Sequence, residues 1–144
     1  MCPCNSKKPY DQCCAIYHQG KDPENALLLM RSRYAAYVEK HPDYILKTTH
    51  PENPQREHHE ELWKRRIIEF SEITDFKNLH ILNFQDGEKE AFVIFTAHMF
   101  QKGEDITFTE KSQFLKEDGK WLYYNGEIKW GKADVADFIK TDKT

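Results

Sequence analysis

Four cysteines stand at positions 2, 4, 13 and 14, and residues 15–144 contain none. Zinc takes four soft or borderline donors in a tetrahedron, which two short cysteine pairs across one loop can supply. Asn5, Ser6 and Pro9 between the pairs are residues that a tight turn uses, and Asn5 tolerates a positive φ where glycine is easiest. Three other chemistries compete. Disulfides belong to oxidising compartments, which nothing in the first residues announces. Redox thiols favour Cys-x-x-Cys before a helix, a spacing absent here. Unpaired structural cysteines seldom cluster on a polar, exposed segment. Zn2+ held by Cys2, Cys4, Cys13 and Cys14 is therefore the expectation, with His18 a rival for the fourth position. A site saturated by four protein ligands has no open position, so it holds structure and does not catalyse.

A second set of candidates lies further along. Arg31 and Arg33, beside Tyr34, can pin helix to sheet through an ion pair with Glu110, which is the preferred assignment. Functionally they offer a hold on a carboxylate or phosphate, at a pocket mouth or against the cysteine segment. Tyr34, Tyr37 and Tyr44 carry hydroxyls in an apolar setting. His50, next to Pro51, has the chemistry of a general base near neutral pH or of a helix cap. Glu110 lies between Phe108 and Ser112 on one strand face, where a carboxylate needs a partner, and His50 is its functional candidate. His58-His59-Glu60-Glu61 is contiguous, so on a helix the two rings diverge by about 100°. It reads as a solvated helix start and not as a metal motif.

The elements that must position these groups follow from periodicity. Residues 1–21 are rich in Cys, Pro and Lys, and three lysines against Asp11 leave the segment positive. Asp22 or Asn25 caps an amphipathic helix over 24–40, on which Leu27, Met30, Tyr34, Tyr37 and Val38 recur at helical spacing. A short helix starts at Pro42 with Tyr44 and Ile45 inward, His50–Pro54 is a loop, and a third helix covers 55–73. After Phe76 the period becomes two. Strands are expected around Leu79–Phe84, from Phe92 to about Lys102, over Ile106–Phe114, and over Trp121–Tyr124, where Asn125-Gly126 closes the run. Glu117-Asp118-Gly119-Lys120 is a hairpin turn, and a short helix is expected through Val135, Phe138 and Ile139. Helices followed by an antiparallel meander make an α+β layout in two units, 1–21 and 22–144.

Composition narrows the function classes. Hydrophobic residues make up 39% and aromatic residues 13% of the 144, enough for a core. A net charge of -3 offers no general attraction for nucleic acid or anionic membrane. No apolar run nears the roughly 20 residues of a membrane span. Met1–Cys4 has neither a basic nor an apolar leader region, so the expected location is cytoplasmic.

Cys2-Pro-Cys-Asn-Ser-Lys-Lys-Pro-Tyr10 with Cys13-Cys14 resembles the SEC-C zinc motif of the secretory ATPase SecA and of small bacterial proteins. The usual motif has Gly at the position of Asn5 and often at that of Lys7. Leu29–Tyr37, Asp43-Tyr44, Thr48–Pro51, Phe76–Ile81 and Glu110–Trp121 resemble the YchJ family. That family usually has Trp where this chain has Thr49 and Phe76. The similarity runs over about 125 of the 144 residues. It implies a cystatin-like, nuclear transport factor two-like cone: three helices on a curved antiparallel sheet of about four strands, beside a small N-terminal zinc knuckle. Some members carry a second knuckle at the C-terminus, where this chain has no cysteine.

Two functions are expected. The first is a non-enzymatic adaptor, in which the knuckle with Lys7, Lys8 and Lys21 contacts a protein or a ribosome-associated complex. The alternative is a small-molecule pocket in the cone, with or without isomerase- or dehydratase-like proton transfer, lined by Arg31, Arg33, Tyr34, Tyr37, His50 and Glu110. Cones of this shape also pair through an open sheet face, which makes a homodimer a further option.

Overall fold

The computed structural model describes residues 1–138. Four α-helices and a five-stranded antiparallel sheet are present among them. Three helices were expected; the fourth, α1 (Cys14–His18), lies in the cysteine segment itself. The others are α2 (Ala26–Val38), α3 (Pro42–Lys47) and α4 (Glu60–Ile73).

Asn25 caps α2, its side-chain oxygen accepting the Leu28 N–H at 2.8 Å. The helix is buried on more than the expected stripe, because Ala26, Ser32, Ala35 and Ala36 are as inaccessible as Leu29. The cysteine segment covers one side of α2 and the sheet another. Small residues are what such close approach admits. Proline at the first position starts α3, whose Tyr44 and Ile45 are buried as expected. His59 caps α4 through its ring, with Glu60 and Glu61 in the first turn. Trp63 and Ile67 are buried on that helix, and Phe70 lies half-buried beside them.

The strands are β1 (Thr74–Gln85), β2 (Glu90–Gln101), the two-residue β3 (Glu104–Asp105), β4 (Phe108–Glu117) and β5 (Lys120–Trp130). They run in the order β1-β2-β4-β5, with β3 beside β2. The chain passes from α4 directly into β1, five residues before the expected start at Leu79. Two register shifts in the β1–β2 pair and one in the β4–β5 pair bend the ladder. Asp118 and Gly119 both have positive φ (51° and 81°), as a two-residue hairpin turn of the primed type requires.

Asn125-Gly126 does not close the last strand. β5 continues to Trp130, and the pair sits in mid-strand next to the register shift. That shift inserts Tyr124, so Tyr123 and Gly126, three apart, both face the concave side with Ile128 and Trp130. An unbulged strand would put them on opposite faces. Residues 131–138 return to the sheet, where the Gly131 carbonyl and the Ala133 N–H bond Thr109. The expected C-terminal helix is a short 3-10 turn, Val135–Phe138; Ile139 lies outside the described residues. No described helix is long and apolar enough to cross a membrane.

Candidate metal centre and cone cavity

The four cysteine sulfurs all lie within 4.8 Å of one another. Cys4 and Cys13 are 3.6 Å apart and Cys13 and Cys14 3.9 Å. A tetrahedron with Zn–S bonds of about 2.3 Å has edges of about 3.8 Å, so these separations suit a tetrathiolate metal site. No disulfide links them. Cys2, Cys4 and Cys14 are buried, in contrast to the exposed segment that the composition suggested.

The backbone is shaped around this point. Asn5 and Lys7 both lie in the left-handed region, with φ of 65° and 71°, at the positions where the SEC-C pattern favours glycine. The Asn5 amide donates to the Leu79 carbonyl at 3.0 Å and ties the loop to β1. Ser6 Oγ stands 3.1 Å from Cys13 Sγ. From α2, Arg31 donates to the Cys4 carbonyl at 2.7 Å and lies 3.9 Å from the Cys4 sulfur. Hydrogen bonding with Cys14 above all holds the Cys4 thiol down at about 4 against the effect of burial. Burial pushes Cys2 up to about 11, while the bond to Cys4, and then burial, raise Cys14. Cys4 thus holds a negative charge more readily than Cys2 and Cys14.

His18 does not join the sulfurs. Its Nδ1 is 2.6 Å from the Tyr10 hydroxyl and its Nε2 2.8 Å from the Ser32 carbonyl, so both ring nitrogens are already engaged. Burial depresses its pKa. Together with His41, which is 3.2 Å from the Tyr10 hydroxyl, it fastens the cysteine segment to α2 and α3.

A separate cavity of about 440 Å³ lies between α2, α4 and the concave sheet face. It brings together Arg33, Tyr34, Tyr37 and Glu110, and leaves out Arg31 and His50. The assignment of Arg31 to this pocket is corrected: two residues from Arg33 on α2, it points about 200° away, at Cys4, against the cysteine segment that was its other candidate position. His50 is corrected too. Its Nε2 pairs with Glu117 at 3.2 Å, its Nδ1 accepts the Glu52 N–H, and its ring packs on Tyr124. No His50–Glu110 pair exists.

Neither arginine forms an ion pair with Glu110. Arg33 donates through one nitrogen to the Ile45 carbonyl and to the Thr48 and Thr49 hydroxyls, and its guanidinium lies 4.7 Å over the Tyr123 ring. Glu110 Oε2 accepts hydrogen bonds from Ser112 at 2.5 Å and Tyr123 at 2.7 Å. Burial pushes its carboxyl above the ordinary range, and these two bonds and the Arg33 charge only partly oppose this. Oε1 has no protein partner among the described residues. The Tyr37 hydroxyl has none either, whereas Tyr34 reaches the Asn78 carbonyl at 3.4 Å. A Cβ on Gly126 would collide with the Glu110 carboxylate and the Tyr123 hydroxyl.

A family model described as the middle NTF2-like domain of YchJ matches residues 25–126. The chain belongs to the YchJ family. The UPF0225 protein YchJ of Shigella dysenteriae serotype 1 is 37% identical over 132 residues, 88% of this chain and 82% of that protein. A solution structure of a SEC-C motif containing protein from Rhodopseudomonas palustris superposes with a TM-score of 0.74 at 34% identity, covering 88% of this chain and 96% of that one. The crystal structure of a SEC-C motif containing protein from Psychrobacter arcticus gives 0.69 at 27% identity, over 85% and 79% of the two chains.

In this YchJ-family chain, sequence reasoning missed Tyr123, Ser112 and Gly126 as parts of the polar end of the cavity. Ser112 was visible, two residues from Glu110 on the same face. Tyr123 and Gly126 depend on the bulge at Tyr124, whose local signal, the nearby Gly126, reads equally as the end of the strand. The aromatic walls, such as Phe95 and Phe114, were legible as core; that they enclose space was not.

Proposed function

We propose that this YchJ-family protein is a zinc-stapled cone that binds a small molecule in its cavity. The observation that carries the binding role is Glu110: a carboxyl 7% exposed, facing a 440 Å³ cavity with one oxygen unpartnered. That oxygen is open to the cavity, and an acceptor exposed at the end of an apolar space suits a ligand's donor. Proton transfer through a Glu110–His50 pair is not part of this reading, because His50 lies elsewhere. Cys2, Cys4, Cys13 and Cys14 would hold Zn2+, which would supply a crosslink between the N-terminal loop and α1. The sulfur separations and the family's SEC-C members support that assignment.

Two measurements test it. Metal analysis should find one zinc per chain, and Co2+ substitution should give the spectrum of a tetrathiolate and not of three sulfurs with one nitrogen. Naphthalene, a plain apolar probe, should move the amide resonances of Phe95, Glu110 and Phe114 and leave those of Cys13–Lys21 in place. Absent or uniform movement would overturn the binding role.

A second reading, contact with a protein or a ribosome-associated partner, has one specific support. Lys7 and Lys8 are exposed and enter no ion pair among the described residues, so the metal-held loop presents a free basic tip. Lys21 is different, being tied to Glu24 at 2.9 Å. Partners that a Lys7→Glu, Lys8→Glu variant still captures at full yield would refute this contact.

A further inference from the structure

Charge and hydrogen-bonding capacity inside the cavity restrict what it takes. The walls are aromatic and aliphatic, with Trp63, Phe70, Phe76, Phe95, Phe108 and Phe114 among them. The mouth continues this surface, since Ile128 is 43% and Trp130 76% exposed, with Trp130 edge-on to Phe108. Gln55, Glu57 and Arg66 also line the cavity, and one end is polar. There Arg33 and Glu110 lie on two sides of Tyr123, the guanidinium over its ring and the carboxyl on its hydroxyl. The remaining charges at the rim, Arg66 and Glu57, pair with each other at 3.1 Å. With Glu110 ionised, the polar end carries one charge of each sign. A ligand anion would lie beside the Glu110 carboxyl and a ligand cation beside the Arg33 guanidinium, so either ion meets a like charge as it is desolvated.

The unpartnered atoms are Glu110 Oε1 and the Tyr37 hydroxyl, on two residues that line the same cavity. A hydroxyl can donate or accept, and a carboxyl accepts when ionised and donates when protonated. A head group that both donates and accepts fits this pair in either state. Gly126 keeps the space beside the carboxyl clear.

Resting on the binding role above, we infer that the cavity selects an uncharged, flat, largely apolar molecule with one hydroxyl or amide at its buried end. The test uses five probes with one bicyclic body: 2-naphthol, 2-naphthamide, 2-naphthoate, 2-naphthylmethylammonium and naphthalene. Affinities are measured by calorimetry on the full chain at neutral pH. Naphthol and naphthamide should bind at least about tenfold tighter than the two ions and than naphthalene. Glu110→Ala should bring naphthol down to the level of naphthalene, and Glu110→Gln should keep most of the difference. Tyr37→Phe gives an independent arm that leaves the carboxyl intact, with an expected loss of about threefold or more for naphthol and none for naphthalene. Tightest binding by either ion, or equal binding of naphthol and naphthalene, would overturn the selectivity while leaving a binding cavity. Failure of all five would overturn the binding role itself.

Discussion

The cysteine cluster and the cone cavity are built in opposite ways. The cluster gathers four side chains from thirteen consecutive residues, and its surroundings complete it: Arg31 on the Cys4 carbonyl, Ser6 beside Cys13, Asn5 on Leu79. The cavity gathers its groups from α2, α4 and four strands, and leaves Glu110 Oε1 and the Tyr37 hydroxyl without protein partners. Satisfied neighbours around a closed donor set are the build of a structural site, whereas open polar atoms at one end of an apolar space are what a recognition site uses. The two are nonetheless continuous, because Cys2, Cys4 and Cys14 belong to the same hydrophobic cluster as Leu29, Phe95 and Phe114.

Metal removal tests this contrast most strongly. Zinc in small modules contributes on the order of 10 kcal/mol to folding, so chelation or a Cys4→Ser, Cys13→Ser variant should lower Tm by about 10 °C or more. Residues 1–21 should become protease-sensitive at the same time. If they stay protected, packing on α2 holds the segment and the sulfurs are secondary.

Gly126→Val comes next. Its side chain must displace Glu110 and Tyr123, at a cost of about 2 kcal/mol in chemical denaturation, with loss of naphthol binding and unchanged zinc content. A loss of zinc as well would show the two regions to be coupled.

Glu110→Gln should act through pH. The folded protein holds the Glu110 carboxyl above its ordinary pKa, so the stability linked to it is complete below the ordinary carboxylate value and is lost as pH rises through the folded one. The Gln variant should melt a few degrees higher than the parent at neutral pH, and the difference should vanish in acid. A constant difference across pH would mean that Glu110 is not titrating against its burial.

The smallest effect is expected in the cysteine loop. Lys7 holds a positive φ, so Lys7→Gly should stabilise by about 0.5–1 kcal/mol without altering cavity binding.

Much of the fold was legible because its signals are local. The Asn25 cap, proline at the start of α3, the Asp118-Gly119 turn and the aromatic alternation of β4 each act within a few residues. The shape of the polar end was not. An ion pair between Glu110 and Arg33 looked natural from their types, yet Arg33 is occupied by Ile45, Thr48 and Thr49, and Glu110 by Ser112 and Tyr123. Asn125-Gly126 has turn chemistry, but strand pairing with β4 outweighs it. His50 lies away from Glu110, against the expectation, because a loop's path is set by what it docks on, here the Tyr123 backbone through two 2.8 Å bonds.

The four cysteines and their spacing were sufficient to mark a set of donors that could hold a metal ion, because coordination chemistry depends on donor type and a short loop limits where the donors go. The sequence equally determined an α+β chain, since periodicity is a local property. Only the tertiary structure decided that the cysteines are buried, that His18 fastens the segment instead of competing for the metal, and that the cone is hollow beside Glu110. Those outcomes depend on how distant surfaces meet, and one bulged residue, Tyr124, turns Tyr123 and Gly126 to the same face.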